Sequence, residues 1–470
     1  MFRVFQHHIS MATLAELLAD SLTSFLAILL GVATFTHLRG GGAFAMDTPE
    51  ALWCAVGFAL MVPLNCGLFG VYRDGAERKT QKDKLVRVLL ACVFAIAIGF
   101  VVADRVIPEM PSASGLPMLA AIYLLGGLAL VRGVLMGSVR TSLSEQRILI
   151  IGTGKEARAV AADLRTRRLR THTVVGFYPA GDHDSAAHIG KRFTVFPRTL
   201  SIVDVIHRHQ VDQVIVAVKE QRGGNVPMEQ LLTARIQGVP VMDLAAFYEC
   251  TTGEVPVDSL KASWLVYGHG FAQGRTRKAL KRAFDILSSS ILLLIASPVM
   301  LLTAIAIKLE SEGPVIYRQE RVGLGGKIFM CLKFRSMRTD AEKDGVAVWA
   351  KKNDSRVTRV GAFIRKTRID ELPQIISVLK GEMSMVGPRP ERPSFVEQLK
   401  QQIPYYDIRH SVKPGVTGWA QVRYSYGASL EDALHKHQYD LYYVKNNSLF
   451  LDLLILFETV SVVIFREGAQ

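Results

Sequence analysis

A chain of 470 residues, 49% of them apolar and with a formal net charge of +14, is too long for one ordinary domain, and its length suggests about three. The charge points to nucleic acid or to anionic lipid and phosphorylated ligands. The blocky apolar runs select the second pair and no nucleic-acid module is evident. The five cysteines include no CxxC pair, which supports neither a zinc site nor a disulfide framework.

In chain order, 51–72 and 110–131 are uncharged runs long enough to cross a bilayer. The shorter runs 21–36 and 88–103 reach that length if Asp20 and Arg87 lie at headgroup level. Four spans are predicted, forming a transmembrane bundle over 1–140. The loop after the second span carries Arg73, Arg78, Lys79, Lys82, Lys84 and Arg87, whereas the loops of opposite parity carry only Arg39 and Arg105. The positive-inside rule therefore places both ends of the bundle, and the start of everything after it, in the cytoplasm.

Beyond the bundle the pattern changes to alternating strands and helices. Strands are predicted at 147–152, 174–178, 214–218 and 239–244, with helices at 156–168, 202–209 and 228–236. This is a Rossmann-like α/β domain over 146–250. Its first turn, Gly152-Thr153-Gly154 followed by Ala157, suits a pyrophosphate on a helix N-terminus. No acidic residue closes the second strand, and Asp182 lies beyond it, so nucleotide binding at Gly152 and Gly154 stands beside a structural or regulatory role. A linker is expected over 251–274.

The fifth apolar run, 286–307, carries Ser297-Pro298 at its middle, where the missing N–H predicts a break or sharp bend. Both flanks are basic: Arg275, Arg277, Lys278, Lys281 and Arg282 before it, and Lys308, Arg318, Arg321 and Lys327 after it. A re-entrant helix over 284–308, broken at Ser297 and Pro298, keeps both flanks on one side of the membrane, which a span does not. The last apolar segment, 449–465, contains Asp452 and Glu458, so an interfacial or packed helix is predicted there and not a sixth span.

Between these two segments lies Lys366-Thr367-Arg368-Ile369-Asp370-Glu371-Leu372-Pro373-Gln374. Pro373 suits a first helical turn and Gly381 a stop, so Asp370 is expected at or near an N-cap, where free N–H groups keep it ionised and favour a phosphate beside it. A capping role and a catalytic role both fit that placement. Around the carboxylate pair recur Arg321, Lys333-Phe334-Arg335-Ser336-Met337, Asp354, Arg356, Arg359, Arg365 and Gly387-Pro388-Arg389-Pro390-Glu391. So many guanidinium groups around one acidic pair suit bidentate phosphate contact.

With Lys413-Pro414-Gly415-Val416-Thr417-Gly418-Trp419-Ala420-Gln421 added, four motifs stand in the order of a known family. Residues 275–470 resemble the bacterial sugar transferases, the polyprenyl-phosphate glycosyl-1-phosphate transferases that start exopolysaccharide and O-antigen assembly. The four-span bundle and α/β domain are similar to those of its long members. The resemblance implies a monotopic, α-rich catalytic domain with a re-entrant helix, on the cytoplasmic face of the bacterial inner membrane, in a homodimer. It implies Mg²⁺ as cofactor, held by Asp370 and Glu371, with a UDP-sugar as donor and undecaprenyl phosphate as acceptor. By the same resemblance Asp370 is the nucleophile, with Arg389 and Pro390 placing uridine; from charge, Glu371 is expected as a metal ligand or base, and Lys333, Arg335, Arg365, Arg389 and Arg321 as phosphate contacts. Arg368 departs from the family pattern, many members having a small residue there. A nucleotide-sugar dehydratase or epimerase is the alternative, but no tyrosine here has a lysine four residues later. A non-catalytic assembly scaffold is a third reading, against which the intact acidic pair stands.

Overall fold

A computed structural model describes residues 2–4, 7–9, 11–39, 49–72, 81–106, 115–135, 146–166, 172–181, 193–218, 226–257, 260, 265, 270–271, 274–339, 356–424, 427 and 429–465. The chain forms two compact units that part between Thr251 and Thr252. Asp182 and Asp354 lie outside the described residues.

The first unit opens with α1 (Met11–Arg39), α2 (Pro49–Leu68), α3 (Gln81–Val106) and α4 (Leu116–Leu130). Each contains a stretch long and apolar enough to cross a membrane. The α4 stretch starts later than the predicted 110, because Gly115 is left-handed and a proline sits in the first turn; residues 110–114 are outside the described set. Helix α1 packs on α2 and α4, α2 on α3, and α3 on α4. Asp20 and Arg87 each have a partner inside the bundle. Asp20 is 1% exposed, accepts a hydrogen bond from the Tyr72 hydroxyl at 2.6 Å and pairs with Arg132, while Arg87 donates to the Phe69 carbonyl at 2.9 Å. Charges among apolar helices persist where each has a partner, and these have one.

A four-stranded parallel sheet follows, built from β1 (Gln146–Ile151), β2 (His172–Tyr178), β3 (Gln213–Val216) and β4 (Val241–Asp243) in the order β2-β1-β3-β4. Alternation along β1 sends Ile148 and Ile150 to one face and Leu149 and Ile151 to the other. The first face is covered by α5 (Lys155–Thr166) and by α8 (Leu244–Thr251) through Phe247. The second is covered by α6 (Ile202–His209) and α7 (Met228–Ile236). The predicted helices 202–209 and 228–236 have these same limits. Near-continuous apolar strands are what a sheet buried on both faces requires.

The second unit begins with α9 (Arg275–Glu310), followed by the antiparallel hairpin β5 (Ile316–Val322) and β6 (Ile328–Phe334). Of the expected break or sharp bend, the break is absent: helical hydrogen bonding continues through Pro298 as one 36-residue element. The proline leaves the Leu294 carbonyl without its usual partner, and the Ser297 hydroxyl donates to that carbonyl at 2.9 Å. Both ends of α9 dock on this unit. Near its start, Arg282 donates to the Val378 and Leu379 carbonyls, and Asp285 accepts from the Ser384 hydroxyl and the Met385 amide. Near its end, Ile307 joins Phe334 and Ile364 in an apolar cluster with Met300, Ile369 and Leu372 around it. Between them the helix surface is aliphatic and open, with Leu294 77% and Leu302 67% exposed.

Next come α10 (Arg359–Lys366), α11 (Gln374–Lys380), β7 (Ser384–Val386), α12 (Pro393–Gln402), a 3-10 turn at Tyr406–Ser411, β8 (Gly415–Thr417), α13 (Trp419–Arg423), α14 (Leu430–Asn446) and α15 (Leu449–Phe465). Their core holds Val386, Trp419, Leu441, Tyr442, Leu451 and Ile455. Val255 and Val257, inside the stretch expected to be a linker, are buried in it too. Helix α15 turns both acids inward: Asp452 meets Lys281 at 2.9 Å and Tyr443 at 2.8 Å, and Glu458 meets Arg423 at 2.6 Å. It is a packed helix whose aliphatic residues Leu453, Val460, Val463 and Ile464 are exposed.

Strands β7 and β8 pair in parallel, Gly415 beside Ser384 and Thr417 beside Val386. A Cβ on Gly415 would overlap the Gly387 backbone, and one on Gly387 would overlap the Lys413 carbonyl. The glycines of two sequence motifs are thus there to let two backbones touch. Gly415→Ala is expected to destabilise this unit by about 3 kcal/mol, the upper range for overpacking. In a thermal unfolding scan of purified protein that is a fall of roughly 6–12 °C in the midpoint.

Candidate active site

The acidic pair sits where the chain winds tightly between α10 and α11. Thr358 caps α10 by accepting from the Gly361 amide, and Glu310 accepts from the Arg359 and Val360 amides at 2.8 and 3.1 Å. Arg368, with φ 60° and ψ 13°, then turns the chain in the left-handed region, a conformation that strains a residue with a Cβ by roughly 1–2 kcal/mol. Ile369–Glu371 form a 3-10 turn, and i to i+3 hydrogen bonds continue through Leu372, Ile375 and Ile376. Three residues per turn eclipses i and i+3, so Ile369 and Leu372 both enter the apolar cluster with Ile307 and Phe334. Asp370 and Glu371 are left facing the cations.

This placement corrects the expected N-cap. Neither the 3-10 turn nor α11 has a side-chain cap, and Pro373 occupies the N-cap position of α11. Asp370 is 9% exposed, and among the described residues its carboxylate has no hydrogen bond or ion pair. Burial and then the negative charge of Glu371 raise its pKa, against Lys333, Arg389 and Arg368. The helix end therefore does not dominate its ionisation, as position alone suggested.

Glu371 is the opposite case. Its Oε1 accepts from Lys333 Nζ at 3.0 Å and from Arg389 Nη2 at 2.6 Å, and Oε2 from Arg389 Nη1 at 3.4 Å. Burial works to raise its pKa, but Arg389 and Lys333 outweigh that and hold the carboxyl well below the usual range. Two adjacent carboxylates thus differ sharply in basicity, an environment-made division of roles.

Arg389 stands in a loop whose carbonyls are each held. The Pro388 carbonyl accepts from the Gly415 amide at 2.9 Å, that of Arg389 from Arg409 Nη2 at 2.9 Å, that of Pro390 from Arg321 Nη1 at 2.9 Å, and that of Glu391 from the Val322 amide at 3.0 Å. Arg321 is further fixed by Gln319 at 2.6 Å and Glu391 at 3.4 Å. Lys333, Arg389 and the acidic pair are brought together, with Arg321 and Pro390 bracing the Arg389 loop from behind. Arg335 is elsewhere. Its guanidinium is spent on the C-terminal carbonyls of α9, at Ser311 (2.8 Å) and Glu312, so it caps a helix and has no donor directed at the pair. Arg365 is half-buried on the last turn of α10, and its guanidinium makes no hydrogen bond among the described residues.

In the first unit, Gly152 (φ 111°) needs to be glycine because a Cβ would lie 2.9 Å from the Ala217 carbonyl oxygen. A Glu156 oxygen lies 3.3 Å from the corresponding point on Gly154. The turn is explained by chain packing, and an anion at the start of α5 would meet that carboxylate.

Arg409 and Asp440 were not singled out by sequence reasoning. They form a buried ion pair at 2.8 Å, 5% and 2% exposed, with Tyr406 accepting from Arg409 Nη1 at 2.8 Å. The available signal was Asp440 standing among Tyr439, Leu441, Tyr442 and Tyr443, an acid within a wholly buried stretch of α14.

Residues 276–466 match the family model described as bacterial sugar transferase. The chain is 46% identical over 232 residues to a UDP-N-acetylgalactosamine-undecaprenyl-phosphate N-acetylgalactosaminephosphotransferase of Aeromonas hydrophila, covering 49% of this chain and 54% of the relative. It is 48% identical over 185 residues to a UDP-glucose:undecaprenyl-phosphate glucose-1-phosphate transferase of Escherichia coli K12, covering 39% and 40%. In these two alignments the chain spans about half the length of its relatives. A Xanthomonas campestris pv. campestris protein, UDP-glucose:undecaprenyl-phosphate glucose-1-phosphate transferase, is 32% identical over 360 residues, covering 74% of this chain and 72% of that one. With that breadth of alignment, the chain belongs to the bacterial sugar transferase family.

Proposed function

We propose that this protein transfers a sugar 1-phosphate from a UDP-sugar to undecaprenyl phosphate, releasing UMP, in two steps on Asp370. In the first, an Asp370 carboxylate oxygen attacks the phosphorus that bears the sugar, the bond from that phosphorus to the oxygen of UMP breaks, and UMP leaves with the electron pair. In the second, an oxygen of undecaprenyl phosphate attacks the same phosphorus, and the Asp370 carboxylate departs. The observation that carries this reading is the asymmetry of the pair: Glu371 is saturated by Lys333 and Arg389, while Asp370 is buried, unpaired among the described residues and more basic. A carboxylate is an established carrier for a phosphoryl group.

Lys333 and Arg389 are the nearest cations for the donor phosphates, and Glu371 is their organiser. Its depressed pKa makes it a poor base. Mg²⁺ fits the free oxygens of Asp370 together with donor phosphates, since this ion commonly takes one or two carboxylates plus phosphate; bound there it would offset repulsion among the anions. Both Glu371 oxygens already accept from cations, which leaves Asp370 as the chain's own ligand.

The membrane arrangement belongs to the same reading: α1–α4 as a transmembrane bundle, residues 146–250 as a Rossmann-like domain, α9 as a re-entrant helix, and catalysis on the cytoplasmic face of the inner membrane. A straight helix would set Arg282 and Ile307 about 38 Å apart. Their docking partners, Val378 and the cluster holding Leu372, lie within a few residues of each other. That favours a bend near Ser297 and Pro298 which returns the chain to the same surface.

Membranes carrying the protein, supplied with a panel of UDP-sugars and no acceptor, are expected to release UMP with one of them and to gain a sugar-phosphate mass on the peptide containing Asp370. An active enzyme with no such adduct on trapping would remove the covalent step.

A further inference from the structure

The four held carbonyls from Pro388 to Glu391 differ in what holds them. Two accept from strand amides, Gly415 and Val322, and one from Arg321. The Arg389 carbonyl accepts from Arg409, a guanidinium 5% exposed. Arg409 uses Nε and Nη2 on Asp440 at 3.1 and 2.8 Å, Nη1 on Tyr406, and Nη2 again on the Arg389 carbonyl. The other Asp440 oxygen, Oδ1, is buried with no hydrogen-bond partner among the described residues. Around them stand Tyr406, His410 and His437, with the His410 ring edge-on and the His437 ring tilted to that of Tyr406.

A buried ion pair with incomplete hydrogen bonding is a poor stabiliser: apolar residues of similar volume are often as good or better. Its presence against one particular carbonyl therefore asks for another use. Pro388 and Pro390 fix φ at the positions on either side of Arg389, which leaves φ and ψ of Arg389 itself to place its side chain. The hydrogen bond from Arg409 to the Arg389 carbonyl holds that ψ.

We propose that Arg409 is a positioning residue for the donor: by holding the Arg389 carbonyl it sets where the Arg389 guanidinium stands and hence how tightly the donor diphosphate is bound. This rests on Arg389 being a donor-phosphate contact. Asp440 and Tyr406 orient Arg409, and among the described residues neither is bonded to the acidic pair.

The test is steady-state UMP release with the UDP-sugar that the wild type uses. The charge-balanced double variant Arg409→Met with Asp440→Leu removes the pair without stranding either charge. It is expected to raise KM for the donor about tenfold while kcat changes less than about threefold, the signature of misplacement and not of lost chemistry. A role in folding alone lowers the active fraction and leaves KM where it was. In an Arg389→Ala background the same double change should leave KM unmoved, because the group it positions is gone. If the double variant does not fold, Arg409→Lys decides. It keeps a cation against Asp440 but cannot serve Asp440, Tyr406 and the carbonyl together, and it should raise KM in the wild-type background and not in Arg389→Ala. An unchanged KM in the folded variant, or an equal rise with and without Arg389, overturns the proposal. A wild type that releases no UMP overturns the proposed activity instead.

Discussion

Asp370→Asn is expected to stop UMP release, by about 10⁴-fold or more, as loss of a covalent nucleophile does elsewhere. The protein should remain folded and in the membrane fraction. Asp370 is buried and its pKa is raised, by burial first and by Glu371 second. A folded-state carboxyl with a raised pKa binds more protons than the unfolded chain, so stability falls as pH rises from the unfolded to the folded pKa, and the ionised form remains a burden above that window. Asparagine removes that burden. The thermal midpoint at neutral pH should be equal to the wild type or higher, which separates a dead active site from a damaged fold. Full-rate release by the variant would end Asp370's role as nucleophile.

Glu371→Gln tests the other half of the asymmetry. Lys333 and Arg389, 19% and 29% exposed at their side chains, would face each other without the carboxylate that now lies 3.0 and 2.6 Å from them. Breaking one partner out of such a group is expected to cost about 2 kcal/mol here, below the range for fully buried pairs because water reaches both cations. Since the Glu371 pKa is depressed, its stabilisation is present above the unfolded pKa and lost as pH falls through the folded one. The variant's deficit in stability should therefore be seen at neutral pH and shrink in acid. Activity should fall about 10²-fold through misplaced phosphate contacts. The acid limb of its pH–rate profile should move to lower pH, because Asp370 loses the negative neighbour that raises its pKa. An acid limb that stays in place would show that Asp370 is not the group titrating there.

Much of the fold was legible because it follows from period and punctuation. The uncharged runs of the first unit became helices, and helices 202–209 and 228–236 were bounded by a Ser cap, a left-handed Gln210 and a proline that act locally. What failed depended on hydrogen bonding that a propensity argument does not supply. Pro298 forecast a break or sharp bend, and the hydroxyl beside it keeps the helix from breaking. Arg335 read as one more phosphate ligand in a basic motif, yet it folds onto helix-end carbonyls that sequence does not reveal. Asp370 read as a cap because tight 3-10 winding before Pro373 is not visible in a propensity argument. Arg409 and Asp440 stayed hidden since an isolated charge is by default a surface residue, and only the fold shows that the two are neighbours.

The docking of α9 at both of its ends has a practical consequence for anyone wanting this catalyst in water. Asp285 and Arg282 tie down β7 and the end of α11, and Ile307 fills space behind the acidic turn. Removing α9 would strip these three structural supports from the second unit. Solubilisation then has to proceed by recolouring the outward aliphatic surface of that helix, Leu294, Ile295, Leu301 and Leu302 among it, with its inward residues left untouched.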